Sequence, residues 1–108
     1  MIYTLRLHTV DPAHVSQFLA AFRNDGLWCE LSRGLKPDHI GTDVLQSHAL
    51  PWCFLSIDFW LSEDAYWRAQ RSAEVLTFTL FLLNLTTSYE SLGVFSFPPR
   101  TAEEDRRV

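Results

Sequence analysis

The chain has 108 residues, 47% of them hydrophobic, and a formal net charge of −4 from nine Lys and Arg against thirteen Asp and Glu. That length holds one domain with a packed core and is too short for two. The acidic balance leaves little material for a nucleic-acid face or for docking on an anionic membrane. Cys29 and Cys53, in "LWCEL" and "PWCFL", have neither CxxC nor metal-type spacing, and read as buried free thiols of a reducing compartment. "MIYTLRLHTV" lacks the apolar run and cleavage site of a signal peptide, and "VLTFTLFLLNL" (75–85) is too short to cross a bilayer. A cytoplasmic protein is expected.

"IYTLRLHTV" (2–10) alternates as a strand, with Tyr3, Leu5 and Leu7 on one face and Thr4, Arg6 and His8 on the other. Asp11 and Pro12 then suit the cap and first position of a helix. Its buried stripe is Val15, Phe18, Leu19 and Phe22, and Asn24-Asp25-Gly26 ends it. A short helix is predicted over 27–33, closed by Gly34. "HIGTDVLQSH" (39–48) alternates again, with Ile40 and Val44 on one face. "WCFLSIDFWL" (52–61) is apolar on nearly both faces and belongs in the middle of a sheet. Ser62 caps a second helix whose first turn carries Glu63 and Asp64, and Ser72 permits a kink. The 73–85 stretch has strand propensity at Thr77, Phe78, Thr79 and Phe81, but its length and all-round apolarity predict helix. A last strand over 88–97 sets Leu92 and Val94 opposite Tyr89 and Phe95, and 98–108 reads as a loose tail behind a 1–97 domain.

The order β-α-β-β-α-β predicts an α+β, ferredoxin-like split βαβ fold: a four-stranded antiparallel sheet with both helices on one face. The other face carries large apolar side chains, and a symmetric homodimer through that open face would cover it.

"KPDHIGTDVLQSH" followed by "WCFLSIDFWLSEDAYWRAQRS" resembles the dimeric α+β barrel proteins of the antibiotic biosynthesis monooxygenase type. The matching features are Gly41-Thr42-Asp43-Val44-Leu45 on the second strand, Trp60 at the end of the third, and Ser62, Glu63, Ala65 and Tyr66 at the helix start. The resemblance spans about residues 1–97 and is specific for fold more than for function. It implies a pocket between sheet and helices and a cofactor-independent oxidation, without metal or flavin, of a small aromatic or polyketide-type substrate. Haem-degrading members carry an Asn, a Trp and a His where this chain has Thr4, Ala69 and Thr79, so haem degradation is not implied.

The polar candidates are Arg6 as an oxyanion or carboxylate binder, His8 as a proton shuttle and Asp58 as a base. Set against these roles are an Arg6 pair with Asp58 or Glu90, a solvent-facing His8, and a structural Asp58. Trp28, Trp60, Tyr66 and Trp67 are candidate walls for a planar ligand, with core or dimer interface as the alternative. Tyr89 is a weaker candidate. His14 is expected on the surface, and His39 and His48 bracket the second strand. No His pair has metal-site spacing, so no metal is expected. The rival to an enzyme is a non-catalytic dimeric module that binds a small ligand or only itself.

Overall fold

The computed structural model describes residues 1–96 and Pro98; the predicted tail, Pro98 apart, lies outside the described residues. The elements are β1 (Ile2–Val10), a 3₁₀ turn (Pro12–His14) running into α1 (Val15–Ala21), α2 (Leu27–Arg33), β2 (His39–Gln46), β3 (Cys53–Trp60), α3 (Glu63–Gln70), α4 (Ala73–Leu83) and β4 (Thr86–Ser96). Each start follows from local chemistry. The side chains of Asp11, Ser62 and Ser72 accept the N–H groups of Ala13, Ala65 and Val75 at 2.9, 3.1 and 3.2 Å. Ser72 splits the second helical region into α3 and α4, and 73–83 is helical as its length predicts.

The strands form one antiparallel sheet in the order β2-β3-β1-β4, the α+β ferredoxin-like arrangement. One face is buried: Thr4, Arg6, His8 and Val10 from β1, with Phe54, Ser56, Asp58 and Trp60 from β3. Over it pack Phe18 and Ala21 of α1, Trp28 of α2, Ala69 of α3 and Val75, Phe78 and Leu82 of α4. The polar side of β1 is therefore the covered side. Its apolar side is open, with Leu7 exposed and Tyr3 stacked on Phe95 at 5.6 Å.

Of three register shifts in the sheet, two reset the faces of predicted residues, and the third lies at the start of β4, where Ser88 pairs with Thr9 and Thr86 with Val10. In β2, His39 pairs with Trp60 and Gly41 with Phe59, which leaves Ile40 as an extra residue. In β4, Gly93 pairs with Leu5 and Ser91 with Arg6, which leaves Leu92 extra. Such bulges shift the alternation by one residue. Two predicted faces change as a result. Ile40 points out while Val44 packs against the core. Tyr89 lies inward against His8, whereas Phe95 lies outward against Tyr3. Gly93 holds the positive φ, 114°, that the second bulge requires.

Three further expectations are corrected. Cys29 and Cys53 are free but only half-buried. His14 is half-buried. Helix α4 is covered on one side only, and Leu76, Leu80 and Leu83 on the other are exposed. Among the described residues no helix is long and apolar enough to cross a membrane.

Gly26 ends the α1 region by close approach, not by its backbone angles. A Cβ there would press on the carbonyl oxygen of Ala20 and lie 2.6 Å from that of Ala21, whereas a Cβ on Gly41 meets nothing within 4 Å. Gly26→Ala should therefore cost about 1–3 kcal/mol of stability as an overpacked site. Gly41→Ala should leave the urea midpoint nearly unchanged. Equal midpoints for the two variants would contradict this reading.

Candidate functional site

Asp58 sits in the middle of β3, which has strands on both sides, and is 3% exposed. A carboxylate there must be hydrogen-bonded to remain charged. Two donors from β2 meet it: His39 Nε2 lies 2.9 Å from Asp58 Oδ1, and the Thr42 hydroxyl donates to the same oxygen at 2.5 Å. His39 Nε2 is also 3.0 Å from Thr42 Oγ1, and the Trp28 indole N–H donates to that Oγ1 at 2.7 Å. The network runs from α2 through β2 to the central strand.

The Ile40 bulge makes this possible. Under strict alternation His39 and Thr42 would face opposite sides; the extra residue sets both beside Asp58. The loop before β2 is anchored as well. Arg68 of α3 grips Asp38 through two hydrogen bonds of 3.1 Å, and this contact holds the Asp38 carboxyl below its usual range. The His39 ring lies edge-on between Trp28, at 5.3 Å, and Trp60, at 4.9 Å. With its Nε2 proton directed at Asp58, His39 keeps Nδ1 as a buried nitrogen with no partner among the described residues.

A cavity of about 160 Å³ opens beside this network, lined by residues that include Phe22, Trp28, His39, Gly41 and Thr42, with Arg23 and Lys36 among them. Asp58 stands one hydrogen bond behind its wall.

The other predicted residues fall at different depths. Arg6 is buried on the same sheet face as Asp58, and no carboxylate forms an ion pair with it among the described residues. Glu90 is excluded as its partner by register, since it pairs with Leu7 on the open side. His8 is fully buried, not solvent-facing, and its Nε2 meets Ser56 Oγ at 2.8 Å. Trp60 is fully buried, donates to Thr4 Oγ1 at 3.1 Å, and backs His39 without reaching the cavity. Tyr66 packs edge-on against Trp60 at 5.6 Å. Trp67 is 50% exposed on the outside of α3, against Tyr66 and Glu63. Of the four predicted ring walls, Trp28 alone lines this cavity. Sequence reasoning passed over His39 and Thr42 as site residues. Gly41 inside a predicted strand was the available sign of a bulge.

No model of a protein family and no curated protein matches the sequence. Solved structures do. SnoaB, a cofactor-independent oxygenase from Streptomyces nogalater, superposes with a TM-score of 0.70 at 19% identity, over 94% of this chain and 96% of that one. The chain has the fold of the antibiotic biosynthesis monooxygenases. A proposed monooxygenase of this type from Nitrosomonas europaea gives a TM-score of 0.72 at 17% identity, covering 91% of this chain and 99% of its own. Another, from Deinococcus radiodurans, gives 0.70 at 12% identity, covering 94% and 96%. At these identities the likeness is one of fold, and the monooxygenase-type scaffold is common to all of them.

His8 shows how the covered face acts on charge. Burial, and next the Arg6 cation, lower its pKa from 6.5 to about 4, against a smaller opposing pull from Asp58. It is therefore neutral near pH 7. Unfolding restores the ordinary value, so the unfolded chain binds the extra proton between these two pH values. The His8 contribution to stability is thus complete above pH 6.5 and is lost as pH falls toward 4. The loss should total roughly 3 kcal/mol. Urea unfolding from pH 7 down to pH 5 should show a steeper loss for the natural chain than for a His8→Gln variant. Parallel profiles would contradict a neutral buried His8.

Proposed function

We propose that the chain is a cofactor-independent oxygenase that converts a small electron-rich phenol to a quinone with dioxygen. One observation carries the reading: the buried carboxylate of Asp58 holds His39, and His39, Thr42 and Trp28 together wall a cavity. A carboxylate-oriented imidazole with a bare nitrogen is suited to accept a proton. The likeness in fold to SnoaB, named a cofactor-independent oxygenase, supports the same class.

In the proposed reaction the phenol hydroxyl gives its proton to His39, and Asp58 stabilises the imidazolium. The electron-rich phenolate then supplies the electrons to dioxygen. One oxygen atom replaces the hydrogen on the reacting ring carbon and becomes a carbonyl; the other leaves as water with the two hydrogens lost by the substrate. Phenol and dioxygen thus balance against quinone and water. Arg23 and Lys36 of the lining favour the anionic form of the substrate, and Arg6, buried on the same sheet face but not in the lining, acts on His8. His8, neutral and bound to Ser56, suits a positioning role better than a shuttle. Trp28 meets the substrate ring, Trp60 braces His39 from behind with Tyr66 packed on it, and Trp67 has no part.

Oxygen uptake with a panel of anthrones and hydroquinones tests this reading. Asp58→Asn and His39→Gln should each lower kcat by about a hundredfold or more, the usual contribution of a positioned base. Ligand binding without uptake for every compound would favour the rival, a non-catalytic small-ligand-binding module.

We also propose that a second copy of the chain covers the open face of the sheet. Leu7, Leu45 and Phe95 are exposed there, and the face is more apolar than an isolated surface usually tolerates. Light scattering at micromolar concentration should give a dimer, and Leu7→Lys should shift it toward monomer. A stable monomer of the natural chain would overturn this.

A further inference from the structure

We propose that the cavity selects a single-ring phenol bearing an anionic substituent, rather than a polycyclic one. The inference rests on the oxygenase reading only for the identity of the site; it concerns what the cavity binds. Three observations carry it.

The first is size. The cavity measures about 160 Å³. An apolar cavity of about 150 Å³ accommodates benzene. One ring with its substituents fits, and two further fused rings would have to lie outside the wall.

The second is the chemistry of the lining. Phe22 and Trp28 supply aromatic surface, edge-on and stacked respectively on Phe78. Asn24 and Ser32 add polar oxygens to the same lining. A ring hydroxyl suits them, since an amide or hydroxyl oxygen accepts and a phenol donates.

The third is charge. Arg23 and Lys36 line the cavity, and among the described residues no carboxylate does. Lys36 spends one donor on the Ile40 carbonyl at 3.1 Å, which sets its ammonium beside the β2 bulge and leaves two protons for a ligand. The acids of the adjoining segment, Asp25 and Glu30, line a separate hollow. The charge of Asp58 is engaged by His39 and Thr42 behind the wall. A carboxylate on the ring would meet two cations and no opposing anion.

The test is equilibrium binding, by calorimetry and quenching of tryptophan fluorescence, with three probes: 3-hydroxybenzoate, its uncharged methyl ester and a neutral anthrone. The acid should bind, the ester about fivefold to tenfold more weakly, and the anthrone more weakly still. An Arg23→Gln/Lys36→Gln double variant should remove the difference between acid and ester. Both side chains are exposed, so the fold should survive. Ester binding equal to acid binding, an unchanged preference in the double variant, or tighter binding of the anthrone would each overturn the inference. The two readings fail separately. Acid binding without oxygen uptake for any phenol sinks the oxygenase and leaves the specificity. Uptake with an anthrone, without acid binding, does the reverse.

Discussion

A carboxylate in the centre of a sheet is the constraint from which the rest of the site follows. Asp58 has strands on both sides and aromatic cover above, so it must find donors within the protein. Leaving a buried charge unpaired costs several kcal/mol, as much as many folds have to spare. Its donors come from β2, and β2 delivers both of them only because Ile40 is bulged out of register. Trp28 completes the set by donating to Thr42, and its ring stacks on Phe78 at 4.7 Å. The docking of α2 and α4 over the sheet is thus tied to the hydrogen bonding of a single acid. Helix packing and site geometry are the same contacts.

The two faces of the sheet divide their labour in an unusual way for a small domain. The covered face holds Thr4, Arg6, His8, Ser56 and Asp58, where stability alone would place aliphatic residues. Tyr3, Leu5 and Leu7 of β1 are on the open side instead. Polar groups inside a core add little net stability and much directional specificity. Aromatic cover makes the arrangement tolerable: Phe18 of α1 packs tilted against His8 at 5.2 Å, and Tyr89 of β4 packs edge-on against it at 5.3 Å.

The architecture was legible because its signals are local. Caps at Asp11, Ser62 and Ser72, the period of Val15, Phe18, Leu19 and Phe22, and the two-sided apolarity of 52–61 each report on their own neighbourhood. Asp58 stood out for the same reason, as a charge in an apolar strand. The partner of Asp58 was not legible, because it depends on a bulge. Alternation sends His39 away from Thr42 and Val44, and nothing within "HIGTD" except the glycine argues otherwise. The β4 bulge hid the opposite facing of Tyr89 and Phe95 in the same manner. The aromatic cluster of 60–67 misled differently. Trp60, Tyr66 and Trp67 do touch in sequence order, but the chain leaves the sheet at Leu61, so the cluster runs from the core outward to solvent and away from the cavity.

Electrostatics links these features to the proposed chemistry. Among the described residues the covered face carries one fixed cation, Arg6, and one carboxylate, Asp58, which are not paired with each other. Had they closed into an ion pair, each would have cancelled the other and neither could respond to a ligand. Kept apart, Arg6 is strong enough to help hold His8 neutral, while Asp58 is bound to His39. Transfer of a proton from a phenol to His39, as proposed, would create an imidazolium beside Asp58 and a phenolate beside Arg23 and Lys36 of the lining. Each new charge would meet an opposite one already in place. The separation of Arg6 from Asp58 is what leaves the carboxylate to His39 and Thr42.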